Sequence, residues 1–188
     1  MKDIRWDLIT QAVTFYKIKS WDYYELPWHI QESTHSLISQ KTPHRTVDGC
    51  FVGSAEQSFV QLMIDGKLPT VHGMGVTPCL RDDTPDPLHK REFMKVELFC
   101  GGLREHFDTG SCIPLSWLEM ILRSAKEFFY EIDTQKLRVE ETEEGYDITS
   151  NGIEIGSYGI RRSEKYVWAY GTGLAEPRWS TAQKEITY

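Results

Sequence analysis

Residues 146–160 read YDITSNGIEIGSYGI, and no other stretch limits the fold of this chain as tightly. Apolar and polar positions alternate on both sides of Asn151-Gly152, the dipeptide that closes a two-residue hairpin between antiparallel strands. Further strand-like runs occupy 71–76 (VHGMGV), 93–99 (FMKVELF), 137–141 (LRVEE) and 166–171 (YVWAYG). Helical patterns separate them. Ile4, Leu8, Ala12 and Phe15 recur at helical spacing and predict an opening helix to about Lys19. Ser54 with Gln57 three residues on reads as a capping box before Phe59, Leu62 and Met63, with Gly66 as the stop. Ser116 and Glu119 repeat that pattern before Leu118, Ile121, Leu122, Ala125 and Phe129. YYELPWHI, between the first two helices, reads as extended and stops at Pro27. Hairpin-linked strands with interspersed helices predict an α+β fold with a largely antiparallel sheet, and disfavour a Rossmann sheet.

With 188 residues, 40% of them hydrophobic and 12% aromatic, the chain suits one domain able to bury roughly 70% of its unfolded surface. No repeat, low-complexity tract, long linker or apolar run of about 20 residues interrupts it, which predicts a single domain over 1–188, soluble, cytoplasmic and free of membrane. Cys50, Cys79, Cys100 and Cys112 form no CxxC pair, which predicts reduced thiols and no structural zinc.

A formal net charge of -7 disfavours a polyanionic partner in general. Arg81, His89, Lys90 and Arg91 nevertheless share one Pro-rich loop between two strands. A small phosphate ligand accounts for that cluster, since an arginine fork donates two parallel hydrogen bonds to phosphate; a solvated loop has the same composition. Asp83 is placed to orient Arg81, and Phe93 offers a ring to a nucleobase or to the core. Asp147 and Glu154 flank the Asn151-Gly152 turn, where they converge as hard oxygen ligands for magnesium or lie on a solvated hairpin. Arg161 follows Glu154 by an odd step, which puts it on the other face unless the Gly156 and Gly159 region bulges. In GTGLAEPR, Gly171 and Gly173 permit close backbone approach to a ligand, and Arg178 can cover a purine or reach a terminal phosphate.

The order of these pieces, from about Phe15 to Trp179, resembles the catalytic core of class II aminoacyl-tRNA synthetases. YYELPWHI with Pro27 resembles the first motif, whose proline lies at a dimer interface. RDDTPDPLHKREF resembles the second, an Arg-x-acid, loop, Phe pattern; GTGLAEPR resembles the third. GSAEQSF is similar to the amino-acid-binding loop that opens a helix, and YDITSNGIEIGSYGIR to the metal and carboxylate strand pair of the aspartyl, asparaginyl and lysyl branch.

The resemblance implies ATP and Mg²⁺ as cofactors. It implies Arg81 on the α-phosphate, with Asp83 where the family usually has Glu; His89 or Arg91 on the γ-phosphate; Phe93 and Arg178 on the two faces of adenine; and Arg81 and Arg178 as the catalytic pair. Asp147 and Glu154 would hold magnesium. Glu56 and Gln57 would meet the substrate amino group and Arg161 a carboxylate, with Lys95 and Glu97 also at the amino acid. Lys95 stands where related synthetases commonly have Gln. Val60 stands where the aspartate-specific pattern has Lys, which argues against aspartate.

The chain has no room for an anticodon-binding domain, so the expectation is a free-standing paralogue. It would form an aminoacyl-adenylate and pass the acyl group to a carrier protein, a protein side chain, an amine or a tRNA, as a homodimer through the Pro27 segment. An ammonia-using amide synthetase of the asparagine-forming type, and a non-catalytic regulatory or binding module, are the alternatives.

Overall fold

The alternating runs of the sequence all enter one seven-stranded sheet in the computed structural model, which describes residues 4–39, 41–68, 70–82, 84, 90–107, 113–132 and 137–184. In chain order the elements are α1 (Trp6–Ile18), β1 (Asp22–Tyr23), β2 (His29–Ile30), α2 (Glu32–Ile38), β3 (Cys50–Phe51), α3 (Ala55–Ile64), β4 (Thr70–Leu80), β5 (Glu92–Leu103), α4 (Arg104–Phe107), α5 (Ile113–Ile132), β6 (Leu137–Thr142), β7 (Gly145–Ser150), β8 (Ile153–Arg162), β9 (Tyr166–Glu176) and α6 (Arg178–Lys184). The sheet order is β1-β4-β5-β9-β8-β7-β6. Every pairing is antiparallel except that of β1 with β4, and β2 pairs with β3 apart from the main sheet.

Three local expectations need correction. YYELPWHI is not one extended run; Asp22–Tyr23 joins β4 and His29–Ile30 joins β3, with Pro27 between them. Ser54 does not close a capping box: its hydroxyl donates to Glu97, while Gln57 Oε1 accepts the Gly53 N–H at 2.7 Å. α5 begins at Ile113, so Ser116 lies inside its first turn. Pro114 is tolerated there because first-turn N–H groups have no intrahelical acceptor. β4 also runs past Val76 through Pro78. Beyond Met74 its outer edge pairs with no strand among the described residues, which is where a proline costs no ladder bond.

One face of the sheet is the main core. Met74, Met94, Val96, Leu98, Ile148, Ala169 and Leu174 pack there against α1 and α5, through Ile9, Ala12, Phe15, Leu118, Ile121, Ala125 and Phe129. The other face is half covered. α3 lays Phe59, Val60 and Met63 on Phe99, Trp168 and Tyr170, with Phe59 and Phe99 stacked at 4.7 Å. Among the described residues the remainder of that face forms a cleft. No helix among the described residues is long and apolar enough to cross a membrane. Cys50, Cys79 and Cys100 are buried free thiols, and Cys112 lies outside the described residues.

Two bulges decide which side chains reach the cleft. Glu97 pairs with Thr172 but Val96 with Leu174, so Gly173 is an extra residue on β9. Thr149 pairs with Glu154 but Ile148 with Gly156, so Ile155 is extra on β8. Each bulge shifts the alternation by one residue. Buried tyrosines satisfy the carbonyls at the first: Tyr158 donates to Thr172 O at 2.7 Å and Tyr16 to Gly173 O at 2.9 Å. The Tyr158 ring lies across Gly171, where an added Cβ would stand 2.3 Å from Tyr158 Cδ1 and 2.4 Å from Ile121 Cγ2. Gly171→Ala is therefore expected to destabilise the fold by roughly 3 kcal/mol, read as a lower urea midpoint at unchanged slope; an unchanged midpoint would refute this packing.

Candidate functional site

The cleft holds two connected cavities, the smaller of which continues into a more open space of about 760 Å³ along Ile38, Lys41, Glu144, Arg161 and Tyr170. The larger, about 390 Å³, is lined by Arg81, Lys90, Phe93, Glu154, Ser157, Thr172 and Arg178 among others. The smaller, about 220 Å³, is lined by His35, Ser54, Glu56, Gln57, Arg161 and Tyr170 among others. Lys41, Arg81, Lys95, Glu144 and Ser157 line both, so the two cavities are continuous.

Strand pairing explains this gathering. Phe93, Lys95 and Glu97 alternate along β5 onto the cleft face; Cys79, Thr77 and Gly75 lie opposite them on β4. On β9, Thr172 reaches the cleft before the bulge and Ala175 after it, and α6 starts at once with Arg178. On β8, the bulge at Ile155 sends that side chain into the core and returns Ser157 and Arg161 to the face that Glu154 occupies. The condition set by the sequence, a bulge near Gly156, is met.

Arg81 sits at the end of β4. Its backbone N–H donates to Arg91 O at 2.8 Å, its Nε donates to Gly53 O at 2.7 Å, and its guanidinium lies 5.0 Å from the Phe93 ring centre. The strand end and the ring thus fix a cation at the junction of both cavities. Arg178 donates to Glu154 Oε1 at 2.7 Å. Asp147 pairs with Ser157 across β7 and β8 and lies beside Glu154. Burial first, then the Glu154 charge, raises the Asp147 pKa.

Beneath the smaller cavity lies a buried ionic cluster. Glu97 Oε2 takes Lys95 Nζ at 2.8 Å, the Ser54 hydroxyl at 3.2 Å and the Glu56 backbone N–H at 3.2 Å. A carboxylate from the sheet therefore performs the N-terminal capping that Ser54 leaves undone. Glu56 Oε1 accepts from Trp168 Nε1 at 2.6 Å, and its Oε2 from Arg161 at 2.8 Å. Arg161 also reaches Glu144 at 3.2 Å and lies over the Tyr170 ring. Burial pushes the Glu56 pKa up to about 7 against the pull of Arg161.

The structure thus brings together Arg81, Phe93, Lys95, Glu56, Gln57, Arg161, Glu154 and Arg178, with Glu97 under the floor and Asp147 beside it. Arg91 is exposed and outside the lining residues; Lys90, its neighbour, lines the larger cavity instead. Asp83 and His89 lie outside the described residues. Val60 is buried between α3 and the sheet and does not line either cavity. His35, Lys41, Glu144 and Ser157 carried no separate signal in the sequence; only Ser157 follows from alternation, once the bulge is known.

No family model matches the chain, and no curated protein is significantly similar to it. Solved structures are similar. The chain superposes on the pyrrolysyl tRNA synthetase PylSc of Desulfitobacterium hafniense with a TM-score of 0.70 at 13% identity, covering 97% of this chain and 70% of that one. It superposes on the seryl-tRNA synthetase of Pyrococcus horikoshii, complexed with ATP, with a TM-score of 0.70 at 18% identity over 95% of this chain and 48% of that one. For the cytoplasmic serine-tRNA ligase of Naegleria fowleri in complex with AMP the values are 0.69, 14%, 93% and 46%. The chain spans about half the length of the two seryl enzymes. At these identities the likeness shows the fold, which is that of a class II synthetase catalytic core. These structures are pyrrolysyl and seryl enzymes, and they do not support the aspartyl, asparaginyl and lysyl branch expected from the hairpin.

Glu176, just before Arg178, is fully buried on the core face; Ser180 donates to its Oε1 at 2.9 Å and its Oε2 has no partner. Burial pushes its pKa up from 4.5 to about 7, with Ser180 and Arg5 opposing. A carboxyl group whose folded pKa is raised stabilises the fold below its unfolded pKa and loses that contribution as pH rises through its folded pKa. The melting temperature is expected to fall between pH 5 and pH 8, and Glu176→Gln to flatten that fall by at most about 3 kcal/mol. An identical pH profile for the variant would refute the assignment.

Proposed function

We propose that the chain activates an amino acid as its aminoacyl-adenylate and passes the acyl group to an acceptor. The observation that carries this reading is the continuity of the two cavities across Arg81 and Lys95, on the open face of a class II synthetase fold. The larger cavity offers Arg81, Lys90, Phe93 and Arg178 to ATP. The smaller offers Glu56, Gln57, Lys95 and Arg161 to the amino acid.

The substrate carboxylate attacks the α-phosphorus in line, and pyrophosphate leaves with the electron pair of the broken bond. Arg81, fixed by Gly53 O and the Phe93 ring, stabilises charge on the phosphoryl oxygens. Glu56, Gln57 and Arg161 orient the amino acid, and positioning supplies much of the rate. Asp147 and Glu154, neighbours across β7 and β8, would hold a magnesium ion by their carboxylate oxygens. When bound, such an ion neutralises charge on the phosphates.

The pairing of Arg161 with Glu56 and of Lys95 with Glu97 leaves the two cations expected for an acidic substrate already matched. That favours adenylate formation with a neutral amino acid over the amide-synthetase alternative. The retention of Arg81, Phe93, Glu154 and Arg178 around one cavity weighs against a non-catalytic module. Carrier protein, protein side chain, amine and tRNA remain the acceptor classes, and a cytoplasmic location accompanies the reading.

Amino-acid-dependent exchange of pyrophosphate into ATP, run with Mg²⁺ and all twenty standard amino acids, is expected to respond to at least one of them. Arg81→Ala is expected to lower that exchange by about 10²-fold or more in a folded protein. Exchange unchanged in the variant would overturn the role of Arg81, and silence with every amino acid would count against adenylation.

A homodimer through the Pro27 segment belongs to the same reading. Trp28 is 57% exposed and Tyr23 44% exposed beside Pro27, apolar surface that a second copy would cover. Sedimentation at micromolar concentration is expected to give a dimer that Trp28→Glu dissociates; a wild-type monomer would refute it.

A further inference from the structure

Glu56 lies in the first turn of α3 and lines the smaller cavity, and each of its carboxylate oxygens has its own donor. Trp168 Nε1 donates to Oε1 at 2.6 Å, and Arg161 Nη1 to Oε2 at 2.8 Å. The two donors are partners across β8 and β9, where Arg161 pairs directly with Trp168. Side chains directly opposite share a face, so one rung of the sheet brings both to the same carboxylate. On its other side Trp168 pairs with Gly101, where an added Cβ would stand 2.8 Å from Trp168 Cβ. A side chain at that position would push the indole out of place. Arg161 is steadied in turn by the Tyr170 ring, 4.6 Å from its guanidinium, and by Glu144 at 3.2 Å.

This clamp sets both the direction and the charge of Glu56. Burial comes first, raising the Glu56 pKa to about 7; Arg161 opposes it, Glu97 on β5 adds to it, and the Trp168 hydrogen bond and Lys95 oppose it. Tyr170 faces the group from β9 as a neutral phenol, its own pKa raised by burial. A hydrogen bond to the ionised form favours that form, so the indole keeps more of Glu56 charged at neutral pH. With both oxygens held the carboxylate does not rotate, and each oxygen keeps a lone pair for a further donor. An ammonium group in the cavity is attracted by the charged carboxylate and much less by the neutral one.

We propose that Trp168 is a positioning residue: with Arg161 it holds the Glu56 carboxylate in the orientation that receives the ammonium group of the substrate. That this ammonium belongs to an amino acid rests on the adenylate reading. The indole acts through Glu56 and touches no substrate itself.

The test has two readouts on the full chain. The first follows the indole N–H signals of its six tryptophans by nitrogen-edited NMR between about pH 5.5 and pH 8.5. One signal is expected to titrate near pH 7, to be missing in Trp168→Phe and to become independent of pH in Glu56→Gln. The second is calorimetric titration with the twenty standard amino acids, beside an ATP analogue that cannot be cleaved between its α- and β-phosphates. At least one amino acid is expected to bind more tightly as pH rises through that midpoint. In Trp168→Phe the midpoint of its affinity is expected to move up by about one pH unit, because the carboxylate has lost a donor. In Glu56→Gln the affinity is expected to be low at every pH. An unchanged affinity for the ATP analogue separates lost positioning from a lost fold. Should Trp168→Phe fail to fold, Arg161→Gln replaces it and is expected to shift the midpoint the same way. No titrating indole signal, no amino acid bound, or the same affinity profile in the phenylalanine or glutamine variants would overturn the proposal. Binding with the expected profile but without pyrophosphate exchange would instead sink the adenylate reading and leave Trp168 as the residue that positions Glu56.

Discussion

Alternation along a β-strand assigns every second side chain to one face, and the cleft exists because β8 and β9 each break that rule once. Were Gly173 an ordinary strand residue in strict alternation, Leu174 and Glu176 would follow Thr172 onto the cleft face, and Ala175 would be buried in the core. Were Ile155 likewise in strict alternation, Arg161 would lie on the face opposite Glu154. Either change would separate the groups that line the two cavities. A bulge leaves backbone carbonyls without ladder partners, and at Gly173 these are met by the hydroxyls of Tyr16 and Tyr158. Both tyrosines come from the core side, so core packing and cleft composition are coupled through two hydrogen bonds.

The ionic cluster under the smaller cavity follows from the same face assignment. Lys95 and Glu97 are both directed to the cleft side of β5, where α3 arrives with Ser54 and Glu56. Burying two carboxylates there is tolerable only because each meets a cation and a further donor. Such a cluster contributes less to net stability than to uniqueness, since a slip of α3 along the sheet would leave a buried charge unpaired. It also matches Arg161 and Lys95 with carboxylates at the cavity floor.

The larger cavity keeps a different balance. Its cations, Arg81 and Arg178, are each held on one side, by Gly53 O and by Glu154. Their planar heads stay at the cavity wall, preorganised for an anionic ligand without the cost of ordering a long side chain at the moment of binding.

Much of the fold was legible in the sequence because its signals are local. The Asn151-Gly152 turn, the alternation in 93–99 and the helical spacing from Ile4 to Phe15 each depend on neighbours within a few residues. The residues of the larger cavity were legible for a related reason, since Arg81, Phe93 and Arg178 sit at strand ends and turns where side-chain type and backbone geometry are bound together. The start of α5 and the role of Ser54 were not legible. Pro114 tolerates an earlier start than the capping signal marks, and the Ser54 hydroxyl is drawn away by Glu97, more than forty positions along the chain. His35 and Ser157 were likewise invisible, the first because α2 is placed by Gln61 on another helix, the second because its face depends on a bulge. The sequence by itself determined the Asn151-Gly152 hairpin, the largely antiparallel pairing of the long strands and the presence of the helices α1, α3 and α5. Only the tertiary structure decided which charges neutralise one another and which side chains share the cleft, because those outcomes depend on contacts between segments whose separation in sequence carries no periodic signal.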